Sequence, residues 1–147
     1  MDGIVISKLL YFKSHVYSQL KGYYVPHPAI NEDRVISHAI EFIETPLFEG
    51  QRKALITDEE FRNLQSDIIK KPEIGSLIVG TGGLRKVRLG GSNVGKSGGH
   101  RVIYLLVLPD IVYLITMYKK GQKDSLNQAE KNQMKKLVSI LKNEVQP

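Results

Sequence analysis

The chain has 147 residues, 41% hydrophobic and 24% charged, with no cysteine and a net charge of +6. That length supports one domain, or one domain with an appendage, that can bury a core without covalent cross-links. The absence of thiols excludes a disulfide scaffold, a cysteine-based zinc site and a cysteine nucleophile.

Ile6, Leu9, Leu10, Val16, Tyr17 and Leu20 recur at helical spacing, interrupted only by Lys13, so Gly3 to Tyr24 reads as an amphipathic helix. Pro26, Pro28 and Asn31-Glu32-Asp33-Arg34 then form a linker. Residues 1–34 are therefore expected to be an N-terminal extension; were Val35 the initiator, they would fall outside the native protein. The principal domain spans 35–147. Lys8 and Lys13 cut any apolar leader core, and Pro109-Asp110 divides the longest apolar stretch, Val102 to Tyr118. Neither a secretion signal nor a membrane span is expected, and the default location is cytoplasmic.

Val35 to Thr45 alternates as a strand does, with Ile36, His38, Ile40 and Phe42 on one parity. Thr45 can cap a short helix over Pro46 to Leu55, with proline at its first position. Thr57 caps a second helix and Glu60 completes a capping box; its apolar face is Phe61, Leu64, Ile68 and Ile69, and Lys70-Lys71-Pro72 ends it. Leu84 to Gly90, His100 to Leu108 and Ile111 to Tyr118 read as three strands, the last two joined by the Pro109-Asp110 turn. Short links pair such strands antiparallel. Asn127 caps a final helix, Gln128 to Asn143, with Met134, Leu137, Val138 and Leu141 in one stripe. The order β-α-α-β-β-β-α predicts an α+β fold: a small, mostly antiparallel sheet of about four strands with helices packed on it.

Gly90-Gly91-Ser92-Asn93-Val94-Gly95-Lys96-Ser97 satisfies the phosphate-loop pattern G-x-x-x-x-G-K-S letter for letter. The mechanism behind that pattern needs a helix starting at the Lys-Ser pair, so that its first amides face the phosphates. Here Gly98-Gly99 and a β-rich run follow, and too few residues remain for parallel βα units. The segment reads instead as a flexible connection between strands.

The charge is more informative. Between Gly80 and Asp124, eight cations (Arg85, Lys86, Arg88, Lys96, Arg101, Lys119, Lys120 and Lys123) face two acids, Asp110 and Asp124, so this stretch carries the whole +6. Such an excess suits a polyanion, because phosphate neutralisation and counterion release drive nucleic-acid binding; the alternative is a solvated basic face. In Leu84-Arg85-Lys86-Val87-Arg88-Leu89, Lys86 and Arg88 share one face and Val87 and Leu89 the other. Arg101 on the next strand can face the same side, and Lys119 and Lys120 end the strand after it. A small sheet could converge these cations on one groove.

Gly80-Thr81-Gly82-Gly83-Leu84-Arg85-Lys86-Val87-Arg88, the Gly99-His100-Arg101-Val102-Ile103-Tyr104 strand and Tyr118-Lys119-Lys120-Gly121-x-Lys123-Asp124 together resemble RelE-type toxins, most closely the HigB-type branch of bacterial toxin–antitoxin modules. Ile40-Glu41-Phe42-Ile43-Glu44-Thr45-Pro46 and Lys71-Pro72-x-x-Gly75 fit the same branch. The resemblance covers about residues 35–144 and implies a microbial-RNase-like fold that cleaves mRNA in the ribosomal A site and is inhibited by a cognate antitoxin. Lys86 and Arg88 match the family's paired basic positions, Arg101 the arginine of its Gly-x-Arg strand, and Lys120 a position often held by arginine. Lysine there lacks the bidentate phosphate fork. Where some relatives have a functional tyrosine, this chain has Ser125-Leu126-Asn127, leaving Tyr118 as the aromatic candidate for stacking.

RNA cleavage of this kind begins with attack of a 2′-OH on the adjacent phosphate. Nucleases usually move the protons with histidine or carboxylate pairs. His15, His27, His38 and His100 qualify by type only, and His100 has the opposite parity to Arg101. Electrostatic catalysis is the alternative, each aimed donor contributing about 2.7–4 kcal/mol. On that reading Lys86 acts as base or its electrostatic substitute, Arg88 and Arg101 hold the phosphate, and Lys120 assists the leaving group. Arg85, Lys96, Tyr118, Lys119 and Lys123 contact RNA or the ribosome. No metal or cofactor is expected. A non-catalytic RNA-binding module on the same basic face and a nucleotide-binding enzyme on the Gly90–Ser97 loop are the competing expectations.

Overall fold

The computed structural model describes residues 23–25, 40–89, 99–108, 110–122 and 125–145. Its strands are β1 (Tyr23–Val25), β2 (Ile40–Glu44), β3 (Ser76–Leu77), β4 (Leu84–Leu89), β5 (His100–Val107) and β6 (Ile111–Lys119); its helices are α1 (Pro46–Leu55), α2 (Asp58–Lys70) and α3 (Gln128–Val145). The protein is α+β, with the strands in one sheet of order β1-β2-β6-β5-β4-β3. None of the described helices is long and apolar enough to cross a membrane.

The sheet is wider than the expected four strands, and it is mixed. β4, β5 and β6 pair antiparallel in succession, whereas β2 runs parallel to β6. The two added strands are short: β3 is an edge strand of two residues and β1 pairs antiparallel with β2. Tyr23 and Tyr24, placed by periodicity at the end of a helix, lie in β1; the remainder of that expected helix falls outside the described residues. β2 is interior, between β1 and β6, and is buried on both faces. Ile40 and Phe42 bury on one face and Ile43 on the other, so the strand needs cover on both sides.

Two apolar layers sandwich the sheet. On the first face Phe48 of α1 and Phe61, Leu64, Ile68 and Ile69 of α2 pack with Phe42, Val87, Val102, Tyr104, Leu114 and Met117. On the second, the expected stripe Met134, Leu137, Val138 and Leu141 of α3 packs with Leu84, Ile103, Leu105 and Ile115. The helix starts behave as their caps predict. Thr57 Oγ1 accepts from Glu60 N while Glu60 Oε2 accepts from Thr57 N. Asn127 and Glu130 make the same reciprocal pair at α3.

Thr45 caps α1 by accepting from Phe48 N (3.1 Å) and docks it on the sheet by donating to Ile115 O (2.6 Å). The buried Arg52 guanidinium binds both oxygens of Glu44 and lies 4.3 Å from the Phe61 ring centroid. It thereby ties the end of β2 to both α1 and α2.

Candidate anion-binding cleft

The β4–β5 register decides which cations meet. Arg88 lies directly opposite Arg101, and Lys86 opposite Ile103. Ile103 packs in the second layer, so by the two-residue period Lys86, Arg88 and Arg101 all project from that face. The register also sets Arg101 opposite Tyr118 and Lys86 opposite Ser76. α3 covers the part of this face around Leu84 and Leu105, and among the described residues Arg88 at the cationic end is exposed. The result is a cleft of ≈ 380 Å³ lined by Ile74, Ser76, Lys86, Val87, Arg88 and Arg101. Arg101 Nη1 is buried there with no hydrogen-bond partner among the described residues. A buried donor of this kind favours an anionic acceptor, because leaving it unmatched costs about 1–3 kcal/mol or more for a charged group.

The other sequence-predicted residues divide. Tyr118 is half-buried against the second layer, on the same face as Arg101. Lys120 is exposed just past β6, and its N–H donates to Gly99 O (3.0 Å), setting it at the Arg101 end of the sheet. Lys119 is opposite His100, which is opposite Leu89 of the first layer, so Lys119 and His100 project from the other face. Burial lowers the His100 pKa; Glu60 opposes that shift and Lys119 reinforces it. Lys96, Lys123, His15, His27 and His38 lie outside the described residues. So does the whole Gly90–Ser97 loop, but the segment from His100 is a strand antiparallel to β4, whereas a phosphate loop runs into a helix.

Arg85 lies on the face that strand parity gives it. It projects from the opposite face to Lys86, and Nη1 donates to Gly75 O (2.7 Å) and Glu73 O (3.3 Å). Tyr104, fully buried, reaches the same turn: its hydroxyl donates to Pro72 O (2.8 Å) and accepts from Gly75 N (3.0 Å). A side chain at Gly75 would meet Tyr104 Cε1 at 2.9 Å, so only glycine lets the turn sit this close. Arg85 therefore shapes the cleft wall from behind and does not enter the cleft.

Ile74 and Ser76 were missed as cleft residues because a two-residue strand carries no alternation; the Lys71-Pro72 stop before Gly75 was the available signal. A second cavity, ≈ 310 Å³, is lined by Arg52, Asp58, Phe61, Arg62 and Gln65, but Arg52 there is already engaged by Glu44. No cluster of three or more His, Cys, Asp or Glu that could hold a metal occurs among the described residues. No protein-family model matches the chain.

Proposed function

We propose that this chain is the toxin of a type II toxin–antitoxin module: a RelE-type, HigB-branch endoribonuclease with a microbial-RNase-like fold, acting in the cytoplasm on mRNA in the ribosomal A site. The observation that carries the reading is the pairing of Arg88 with Arg101 across adjacent strands, with Lys86 on the same face of an open cleft. Arg88 and Arg101 bind the non-bridging oxygens and offset the charge added as the phosphorane forms. Lys86, two residues along β4, stabilises the attacking oxygen electrostatically as the 2′ proton passes to solvent. The 2′-oxygen–phosphorus bond forms, the bond to the 5′-oxygen breaks, and the departing oxygen, assisted by the Lys120 ammonium, takes up a proton from it or from water. The products are a 2′,3′-cyclic phosphate and a 5′-hydroxyl.

Such a site supplies charge rather than a tuned acid–base pair. The ribosome then supplies in-line geometry, an orientation effect worth up to about 7–11 kcal/mol, and naked RNA is a poor substrate. The cognate antitoxin is the inhibitory partner, and no cofactor takes part.

A second reading is a non-catalytic RNA- or ribosome-binding module. It is favoured by the lining of the cleft, which among the described residues includes neither imidazole nor carboxylate, His100 being on the other face. Mapping mRNA ends after induced expression separates the two. New cyclic-phosphate ends that disappear with Arg101→Ala support the nuclease; translation loss with ribosome binding but no new ends supports the binding module.

A further inference from the structure

We infer that the turn before β3 builds a nucleobase subsite beside the cationic pair, with Ile74 as its apolar wall and Ser76 as its polar edge. The inference rests on reading the cleft as an RNA site and names the part of the RNA that its uncharged side receives. Ser76 is opposite Lys86 in the β3–β4 register. Arg88, Arg101 and Tyr118 form one row across β4, β5 and β6, and Ile74, two residues before Ser76 in the turn that leads into β3, lines the same cleft as Arg88 and Arg101. The cleft is amphiphilic in the way a nucleotide is: a cationic centre for phosphate, flanked by an apolar surface for the face of a base.

Ile74 is 42% exposed, and it is held there. Its N–H donates to Lys71 O (2.9 Å), while Tyr104 and Arg85 clamp the residues on either side from behind the sheet. A large aliphatic side chain fixed in an open position beside two arginines loses little entropy when a flat apolar partner covers it. The cleft, ≈ 380 Å³, is at the small end of ligand sites (about 300–1,000 Å³), the scale of one nucleotide rather than of a folded partner. Ser76 faces the same space with a hydroxyl that can donate or accept. An apolar wall alone discriminates weakly between bases, so selectivity falls to the hydroxyl.

Two measurements on the full chain test this. The first is the NMR shift of the Ile74 δ1 methyl on titration with a 2′-O-methylated trinucleotide, which cannot be cut, against the same molecule with an abasic centre. The base-bearing ligand is expected to move the methyl upfield by its ring current, and the abasic one to leave it in place. The second is cleavage of ribosome-bound mRNAs carrying defined codons by the native chain, Ile74→Leu and Ile74→Ala. Ile74→Ala is expected to cut about five- to tenfold more slowly with a flatter codon profile, Ile74→Leu to stay close to the native chain, and Ser76→Ala to reorder the preferred codons. If Ile74→Ala cuts the same codons at native rates, the subsite is overturned and the nuclease stands. If the native chain makes no cut, the nuclease falls and the methyl decides: a base-dependent shift retains the subsite, and none removes it.

Discussion

Replacing Tyr104 with phenylalanine isolates the clamp behind the cleft, because the ring stays and only the hydroxyl goes. That hydroxyl makes two hydrogen bonds, to Pro72 O and from Gly75 N, beneath a ring with no exposed surface. A net contribution of about 1 kcal/mol per bond, with a further penalty for a backbone group left unpaired, puts the loss near 2–3 kcal/mol. For a chain of this size the melting temperature falls by about 5–10 °C. Urea denaturation should show a lower midpoint with an unchanged slope. The alkaline limb supplies a second readout. Burial raises the pKa of Tyr104 above the ordinary tyrosine value, while the Gly75 N–H and the nearby Arg85 partly oppose the shift. The folded chain thus keeps this proton to higher pH than the unfolded one. The contribution to stability is full below about pH 10 and drains away as pH rises through the folded-state value. Tyr104→Phe should lose that part of the alkaline decline. A loss below about 0.5 kcal/mol, or alkaline limbs of equal steepness, would refute the clamp.

Glu44→Gln should destabilise by about 3–5 kcal/mol in the same urea experiment, because it takes the two-oxygen carboxylate from the buried Arg52 guanidinium; the double variant Glu44→Leu with Arg52→Met should recover much of the loss. His100 should titrate by NMR below the ordinary histidine value, with Lys119→Ala moving the midpoint up and Glu60→Gln moving it down. Because the folded-state value is depressed, the His100 contribution is present above about pH 6.5 and is lost as pH falls through the folded value; His100→Gln should flatten that acid limb.

Elements whose signals are local were legible in the sequence. The capping residues Thr45, Thr57 and Asn127 start their helices where expected, and the stripes on α2 and α3 are the residues that bury. The shared face of Lys86, Arg88 and Arg101 was legible too, since strand parity fixes it once the two strands pair. Properties set by distant partners were not. Nothing near Ile40–Glu44 announces that its neighbour is β6, running parallel, because the partner residues Ile111 to Leu114 lie far along the chain. Charge alone could not separate Arg85 and Lys119 from Arg101. Their faces depend on parity and register, and the Arg85 partners are the backbone carbonyls of a turn. The Arg52–Glu44 pair joins a helix to a strand end at a spacing that no periodic pattern marks.

The parallel pairing of β2 with β6 has a consequence for the order of assembly on the ribosome. Thr45 and Ile115, joined by a hydrogen bond, are 70 residues apart in sequence, and β6 is the strand that separates β2 from β5. A growing chain can form α1, α2 and the β4–β5 hairpin early, but β2 has no neighbour on its inner side until β6 emerges. The central layer therefore closes late in translation and in one step, when a single strand completes contacts with two segments made well apart in time.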